Sequence, residues 1–86
     1  MKIEILVIDD NADIRFLICK ILQESGYLIR SAANYDQAIK EINKSLPDLA
    51  IIDIKLDKGD KDGIDLLKLL VNKDKSLPVI MISGHA

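Results

Sequence analysis

Cysteine and long apolar runs are scarce in this 86-residue sequence, and each shortage excludes a class of protein. Cys19 is the single cysteine, which rules out an internal disulfide and a cluster of thiolate metal ligands. The longest uninterrupted apolar runs have four residues, whereas a membrane-spanning helix needs about 20. The first residues lack the basic and apolar regions of a secretory signal. We therefore expect a cytoplasmic protein that does not insert into a membrane.

The sequence also has only a small net charge and few aromatic side chains. The formal net charge is -2 and aromatic residues make up 3% of the sequence. The chain therefore offers neither the basic surface nor the stacking side chains that bind nucleic acid, and we expect no direct nucleic-acid contact by this segment. What the sequence does have is a high apolar content, 49%, which is enough for one folded domain.

Four short apolar segments alternate with three amphipathic ones. The apolar segments lack polar alternation, which is typical of strands covered on both faces. Asn11 and Asn34 are expected to cap the first two helices, and the polar loop Lys55–Asp62 leads into the third. The predicted strands are Ile3–Ile8, Tyr27–Ala33, Leu49–Ile54 and Pro78–Ile82. The residues expected to face the sheet are Ile14, Leu17, Ile18, Ile21 and Leu22 in the first helix, Ala38, Ile39 and Ile42 in the second, and Ile64, Leu67, Leu70 and Val71 in the third.

The resulting order, β-α-β-α-β-α-β, predicts an α/β fold with a doubly wound parallel sheet and helices on both faces. In such sheets ligands bind at the carboxyl ends of the strands, near the point where the winding reverses. The functional residues should therefore be sought where the strands end.

Polar residues collect at this edge of the predicted sheet. Asp9 and Asp10 end the first strand, Asp53 ends the third and Ser83 ends the fourth. If the first and third strands are neighbours, their carboxylates can share one ion, and an all-oxygen ligand set suits Mg²⁺. Simpler roles remain open. Capping the first helix could be the sole role of Asp10 or Asn11, and Ser83 could be an ordinary loop hydroxyl.

Four stretches together resemble the receiver domain of two-component response regulators: ILVIDD, LAIIDI, DKDGIDLL and LPVIMISGHA. The resemblance implies a flavodoxin-like fold with strand order 2-1-3-4. It also implies that Asp53 accepts a phosphoryl group from a sensor histidine kinase and that Ser83 acts as the switch residue. Asp9, Asp10, Asp53 and the backbone carbonyl of Lys55 would hold Mg²⁺.

Two departures from the family pattern carry further expectations. The loop IKLDKGDKD contains Gly59 and no proline, which resembles the NtrX-type nitrogen-regulation subgroup, whose full-length members carry a sigma-54-dependent ATPase and a DNA-binding domain. The sequence reaches Ala86 just after the fourth strand, so residues 1–86 are expected to form a receiver domain truncated there, with the fifth strand and its lysine missing. The edge of the fourth strand is then expected to drive self-association.

Three functions compete at this point. The intact acidic set favours a phosphorylation-dependent switch that controls transcription and is not a turnover enzyme. A phosphorylation-independent interaction module is the alternative, since the family's lysine is absent. A Mg²⁺-dependent phosphohydrolase ranks third, because Lys55 stands where a general acid would be needed.

Overall fold

The computed structural model describes residues 2–56 and 62–82, which form one parallel four-stranded sheet with three helices. The strands, numbered along the chain, lie in the order 2-1-3-4, as predicted. No helix in these two ranges is long and apolar enough to cross a membrane. The strands are β1 (Glu4–Ile8), β2 (Leu28–Ala32), β3 (Leu49–Asp53) and β4 (Val79–Ile82), and the helices are α1 (Ala12–Glu24), α2 (Tyr35–Lys44) and α3 (Gly63–Lys73).

The register of the sheet brings the ends of β1 and β3 together. Ile8 pairs with Ala32 of β2 on one side and with Ile52 of β3 on the other. The next residues along the two strands are Asp9 and Asp53, so the parallel pairing places them side by side. The winding also reverses here, because β2 lies on one side of β1 and β3 on the other.

Side-chain caps begin each helix, and two of them were predicted. Asn11 accepts hydrogen bonds from the amides of Asp13 and Ile14 at 3.0 and 3.1 Å. Asn34 accepts the amide of Gln37 at 2.8 Å. The return contact of Gln37 is made with the amide of Ala33, one residue before the cap, so Asn34 and Gln37 form only half of a capping box. A complete capping box begins α3, between Asp62 and Asp65.

The main hydrophobic core lies between the sheet and the α2 and α3 side. Its helical contributions come from Ala38, Ile42, Leu66 and Leu70. The prediction for α2 is confirmed. For α3 it is confirmed for Leu70, which is buried, but Ile64 and Val71 are 38% and 40% exposed, and Leu66 is buried although it was not predicted. The reason is that apolar residues occupy more than half of the circumference of α3, so its periodicity does not define one narrow inward face. Members of this core are Leu6, Ile8, Ala32, Ala38, Ile42, Ala50, Ile52, Leu56, Leu66, Leu70 and Leu77.

Helix α1 covers the opposite face of the sheet and has no buried residue among its 13. Ile14, Ile18 and Leu22 are half-buried, as expected for residues that face the sheet. Leu17 and Ile21 were also expected to face it, but they are 56% and 52% exposed. The predicted stripe is therefore wider than the surface that α1 packs against.

An ion-pair network ties β1, β2 and α2 together at the end of the sheet away from the acidic residues. The Arg30 guanidinium lies 3.1 Å from Glu4 and 3.3 Å from Glu41, and it donates to the carbonyl of Ser45 at 2.8 Å. A hydrogen bond from Lys44, with a further contribution from Arg30, lowers the pKa of the Glu41 carboxyl. The contribution of the charged Glu41 carboxylate to the free energy of unfolding is therefore present at neutral pH, and it is lost as the pH falls through that lowered pKa.

Candidate functional site

The acidic pair lies directly beyond the end of β1. The side chain of Asp9 is 1% exposed, while Asp10 faces solvent. The amide of Asp9 donates to the carbonyl of Ala32 at 3.2 Å, and its carboxylate accepts the amide of Asn11 at 2.9 Å. Asp9 is thus fixed by both its backbone and its side chain.

Asp53 ends β3 and is 2% exposed. Its carboxylate accepts the amide of Lys55 at 3.1 Å. Leu56, the next residue, is buried in the main core although it falls in the predicted polar loop. Because Leu56 is held by packing, the backbone of Lys55 is anchored on both sides, by the carboxylate before it and by the core after it.

Gly63, the first residue of α3, packs directly against the backbone of Asp53. Its amide donates to the carbonyl of Ile54 at 3.0 Å. A Cβ atom at this position would overlap the carbonyl oxygen of Asp53 and lie 2.9 Å from its carbonyl carbon and 3.0 Å from Cγ2 of Ile52. Only glycine fits between the helix and the strand, so α3 sets the position of Asp53 by contact with its backbone.

Asp9, Asp10 and Asp53 form one cluster of carboxylates. One oxygen from each lies within 4.8 Å of the corresponding oxygens of the other two. At that separation each pair of charges repels by about 3 to 4 kcal/mol at an effective dielectric of 20. Two of the three groups are almost fully buried, which raises the cost of leaving the charges unbalanced. The ligand set is all oxygen, so the cluster fits Mg²⁺ and does not fit a metal that needs imidazole or thiolate ligands.

The other predicted site residues are distributed between the described ranges and the rest of the chain. Lys55 is exposed and lies next to the cluster through its amide contact with Asp53. Ser83, the predicted switch residue, lies outside the described residues. The role assigned to it from the sequence stays a prediction.

Three residues that position the cluster were not identified as such from the sequence. Leu56 carried a weak signal, since it is an isolated apolar residue in a charged loop. Gly63 was noted only as part of a family motif, because a close backbone approach leaves no trace in hydrophobic periodicity. Arg15 carried no signal, yet it donates to the carbonyl of Asp9 at 2.7 Å.

The chain is similar to proteins of bacterial signalling. The nitrogen assimilation regulatory protein NtrX of Azorhizobium caulinodans is 40% identical over 85 residues, which are 99% of this chain and 19% of that protein. The receiver domain of NtrX from Brucella abortus has a crystal structure that superposes with a TM-score of 0.87 and 43% identity, over 95% of this chain and 68% of that one.

A third similar protein also has a solved structure. A response regulator protein from Burkholderia pseudomallei was solved with a phosphorylated aspartic acid, a calcium ion and citrate. It superposes with a TM-score of 0.86 and 27% identity, over 99% of this chain and 49% of that one. The sequence profile of the response regulator receiver domain matches residues 5–86. Because that match spans nearly the whole sequence, the chain belongs to the response regulator receiver family, whose members are signalling modules.

Proposed function

We propose that this chain is the phosphoacceptor module of a two-component response regulator, with Asp53 receiving the phosphoryl group from a sensor histidine kinase. A carboxylate oxygen of Asp53 attacks phosphorus, the bond between phosphorus and the kinase imidazole breaks, and the imidazole leaves with the bonding electrons. The observation that carries the proposal is the grouping of Asp53 with Asp9 and Asp10 within 4.8 Å. The phosphorylated aspartic acid of the Burkholderia relative supports it.

The acidic cluster is proposed to bind Mg²⁺ through Asp10, Asp53 and the Lys55 carbonyl, with Asp9 acting through water. When bound, the ion neutralises the charge that gathers on the transferring phosphoryl group. The protein's own contribution is positioning, since phosphoryl transfer to a carboxylate depends mostly on alignment and charge. Asp10 is the exposed member of the cluster, so we propose that the ion enters from its side.

Asp10→Asn is expected to weaken Mg²⁺ binding more than about tenfold, because it removes a full charge at ligand distance. Asp13→Asn is the matched control, since Asp13 is an exposed aspartate in the first turn of α1 outside the cluster. Calorimetric titration of both variants measures the effect. Equal affinities in Asp10→Asn and the parent chain would remove Asp10 from the ligand set.

Incubation with acetyl phosphate and Mg²⁺, followed by intact-mass measurement, separates the three candidate functions. A stable adduct of one phosphoryl group supports the switch. No adduct, in a protein that still binds Mg²⁺, supports a phosphorylation-independent interaction module. Continuous release of inorganic phosphate over many turnovers supports a phosphohydrolase. The family's lysine is not among residues 1–86, so slow formation of the adduct is expected.

The output is proposed to be transcriptional. The Azorhizobium relative is named a regulatory protein of nitrogen assimilation, and likeness to the NtrX type suggests a longer protein that controls transcription in the cytoplasm. This segment has a net charge of -2, so DNA contact is assigned to another part of that protein. Phosphorylation of Asp53 would act by adding charge and acceptor oxygens at the strand ends.

Self-association of the 86-residue chain through the edge of β4 is a further expectation. In the described ranges β4 pairs only with β3 and lies at the sheet edge. The strand has no charged residue, and Ile80 is 49% exposed, a composition that favours pairing with another chain. Size exclusion with light scattering at micromolar concentration should show a dimer, and Ile80→Lys should shift it to monomer. A parent chain of about 10 kDa in solution would disprove this expectation.

A further inference from the structure

Arg15 makes a contact whose partner is unusual for a surface helix. It lies four residues into α1, and its guanidinium donates to the main-chain carbonyl of Asp9 at 2.7 Å. The side chain therefore extends backwards past the start of its own helix, the direction in which helical side chains lean. The hydrogen bond is charge-assisted, a class that is shorter and stronger than a neutral one.

The carbonyl that Arg15 holds belongs to the peptide linking Asp9 to Asp10. That peptide is planar, so fixing its oxygen fixes the direction in which the chain leaves β1. The amide of Asp9 is held on the other side by the carbonyl of Ala32 at 3.2 Å. The backbone is thus clamped immediately before Asp10, the exposed member of the carboxylate cluster.

The contact uses a backbone oxygen and no carboxylate oxygen. A cation that paired with the carboxylates would compete with a metal for the same lone pairs. By binding the carbonyl, Arg15 adds rigidity to the acidic pair without taking up a ligand atom. The arrangement corresponds to the outer-shell groups that orient metal ligands in other proteins.

We propose that Arg15 is a positioning residue of the site: it holds the Asp9–Asp10 peptide so that the two carboxylates are aligned for the cation before it binds. This inference rests on the proposed Mg²⁺ site. The inference predicts a change in cation affinity opposite to the one that charge alone predicts. Removing a positive charge beside a cation site should strengthen cation binding, whereas removing a positioning contact should weaken it.

Arg15→Met is the principal variant, because methionine keeps much of the aliphatic length and removes both the charge and the donors. Lys20→Met is the matched control: Lys20 is an exposed residue of the same helix, and its loss removes the same charge. Calorimetry should give about tenfold weaker Mg²⁺ binding for Arg15→Met, with less than a twofold change for Lys20→Met. Arg15→Lys, which retains a charged donor, should recover part of the loss.

A second readout does not require metal. In the metal-free protein, Arg15→Met should move the NMR amide resonances of Asp10, whose N–H belongs to the released peptide, and of Asn11, which follows it. Lys20→Met should leave both in place. If the parent chain bound no Mg²⁺, the proposed function would fail while this readout still decided the role of Arg15. Unchanged or tighter Mg²⁺ binding in a folded Arg15→Met, or unmoved resonances, would overturn the inference.

Discussion

Replacing Asp53 with asparagine is expected to abolish phosphoryl uptake completely while the protein remains folded. Asparagine has nearly the same shape, and its side-chain oxygen can still accept the amide of Lys55, which now lies 3.1 Å from the carboxylate. Removing one of three mutually repelling charges should leave the thermal midpoint of the metal-free protein unchanged or higher. What disappears is the nucleophile, because an amide does not form the acyl phosphate.

Intact mass after acetyl phosphate and Mg²⁺ treatment provides the measurement. The parent chain treated in the same way should gain one phosphoryl group. Asp36→Asn is the matched control, since Asp36 is an exposed aspartate in the first turn of α2. It should take up phosphate like the parent. A phosphoryl adduct that persisted in Asp53→Asn would identify another acceptor.

Gly63→Ala is expected to destabilise the protein, although it adds only one methyl group. The new Cβ would meet the backbone of Asp53, which cannot move aside as a flexible side chain would. Overpacking costs about 1 to 3 kcal/mol, and a contact with rigid backbone belongs to the upper part of that range. There it exceeds the roughly 1 kcal/mol that alanine gains over glycine in a helix. Urea denaturation followed by circular dichroism should therefore show a net loss of unfolding free energy.

The same substitution should also weaken Mg²⁺ binding, because α3 and Asp53 must separate for the methyl group to fit. Gly26→Ala serves as the control. Gly26 has a φ of 97°, so alanine is strained there, but nothing lies within 4 Å of the added Cβ. Gly26→Ala should lower stability and leave Mg²⁺ affinity intact. If both variants kept the parent's Mg²⁺ affinity, the contact between Gly63 and Asp53 would have no role at the site.

The strands of this fold were predictable because each one is marked by a single clear pattern in the sequence. Each strand is a compact apolar run, and the structure moves its ends by only one residue, as in β2, predicted as Tyr27–Ala33 and found as Leu28–Ala32. The acidic cluster was equally accessible, because charges at the ends of buried strands are costly without a function. Asp9, Asp10 and Asp53 are brought together as that reasoning required.

Side-chain directions were less predictable, for identifiable reasons. In α3 the apolar residues occupy more than half of the helix circumference, and the burial of Gly63 helps to identify the inward face, although glycine adds nothing to a hydrophobic pattern. In α1 the predicted apolar stripe does face the sheet, but the number of its residues that are covered depends on the width of the surface that packs against the helix. The hydrogen bond from Arg15 to a backbone carbonyl joins residues six positions apart and has no sequence signature.

The unequal burial on the two sides of the sheet has a consequence for motion. The α2 and α3 side contains the main core, while α1 buries none of its residues fully. Helices with few buried contacts open locally at a lower free energy than the global unfolding of the domain. The acidic cluster joins the two sides, with Asp53 fixed from α3 and the Asp9–Asp10 peptide fixed from α1. A cation bound there would link the α1 side, which has few buried contacts, to the side that contains the main core. Mg²⁺ should therefore slow hydrogen exchange in α1 more than in α3.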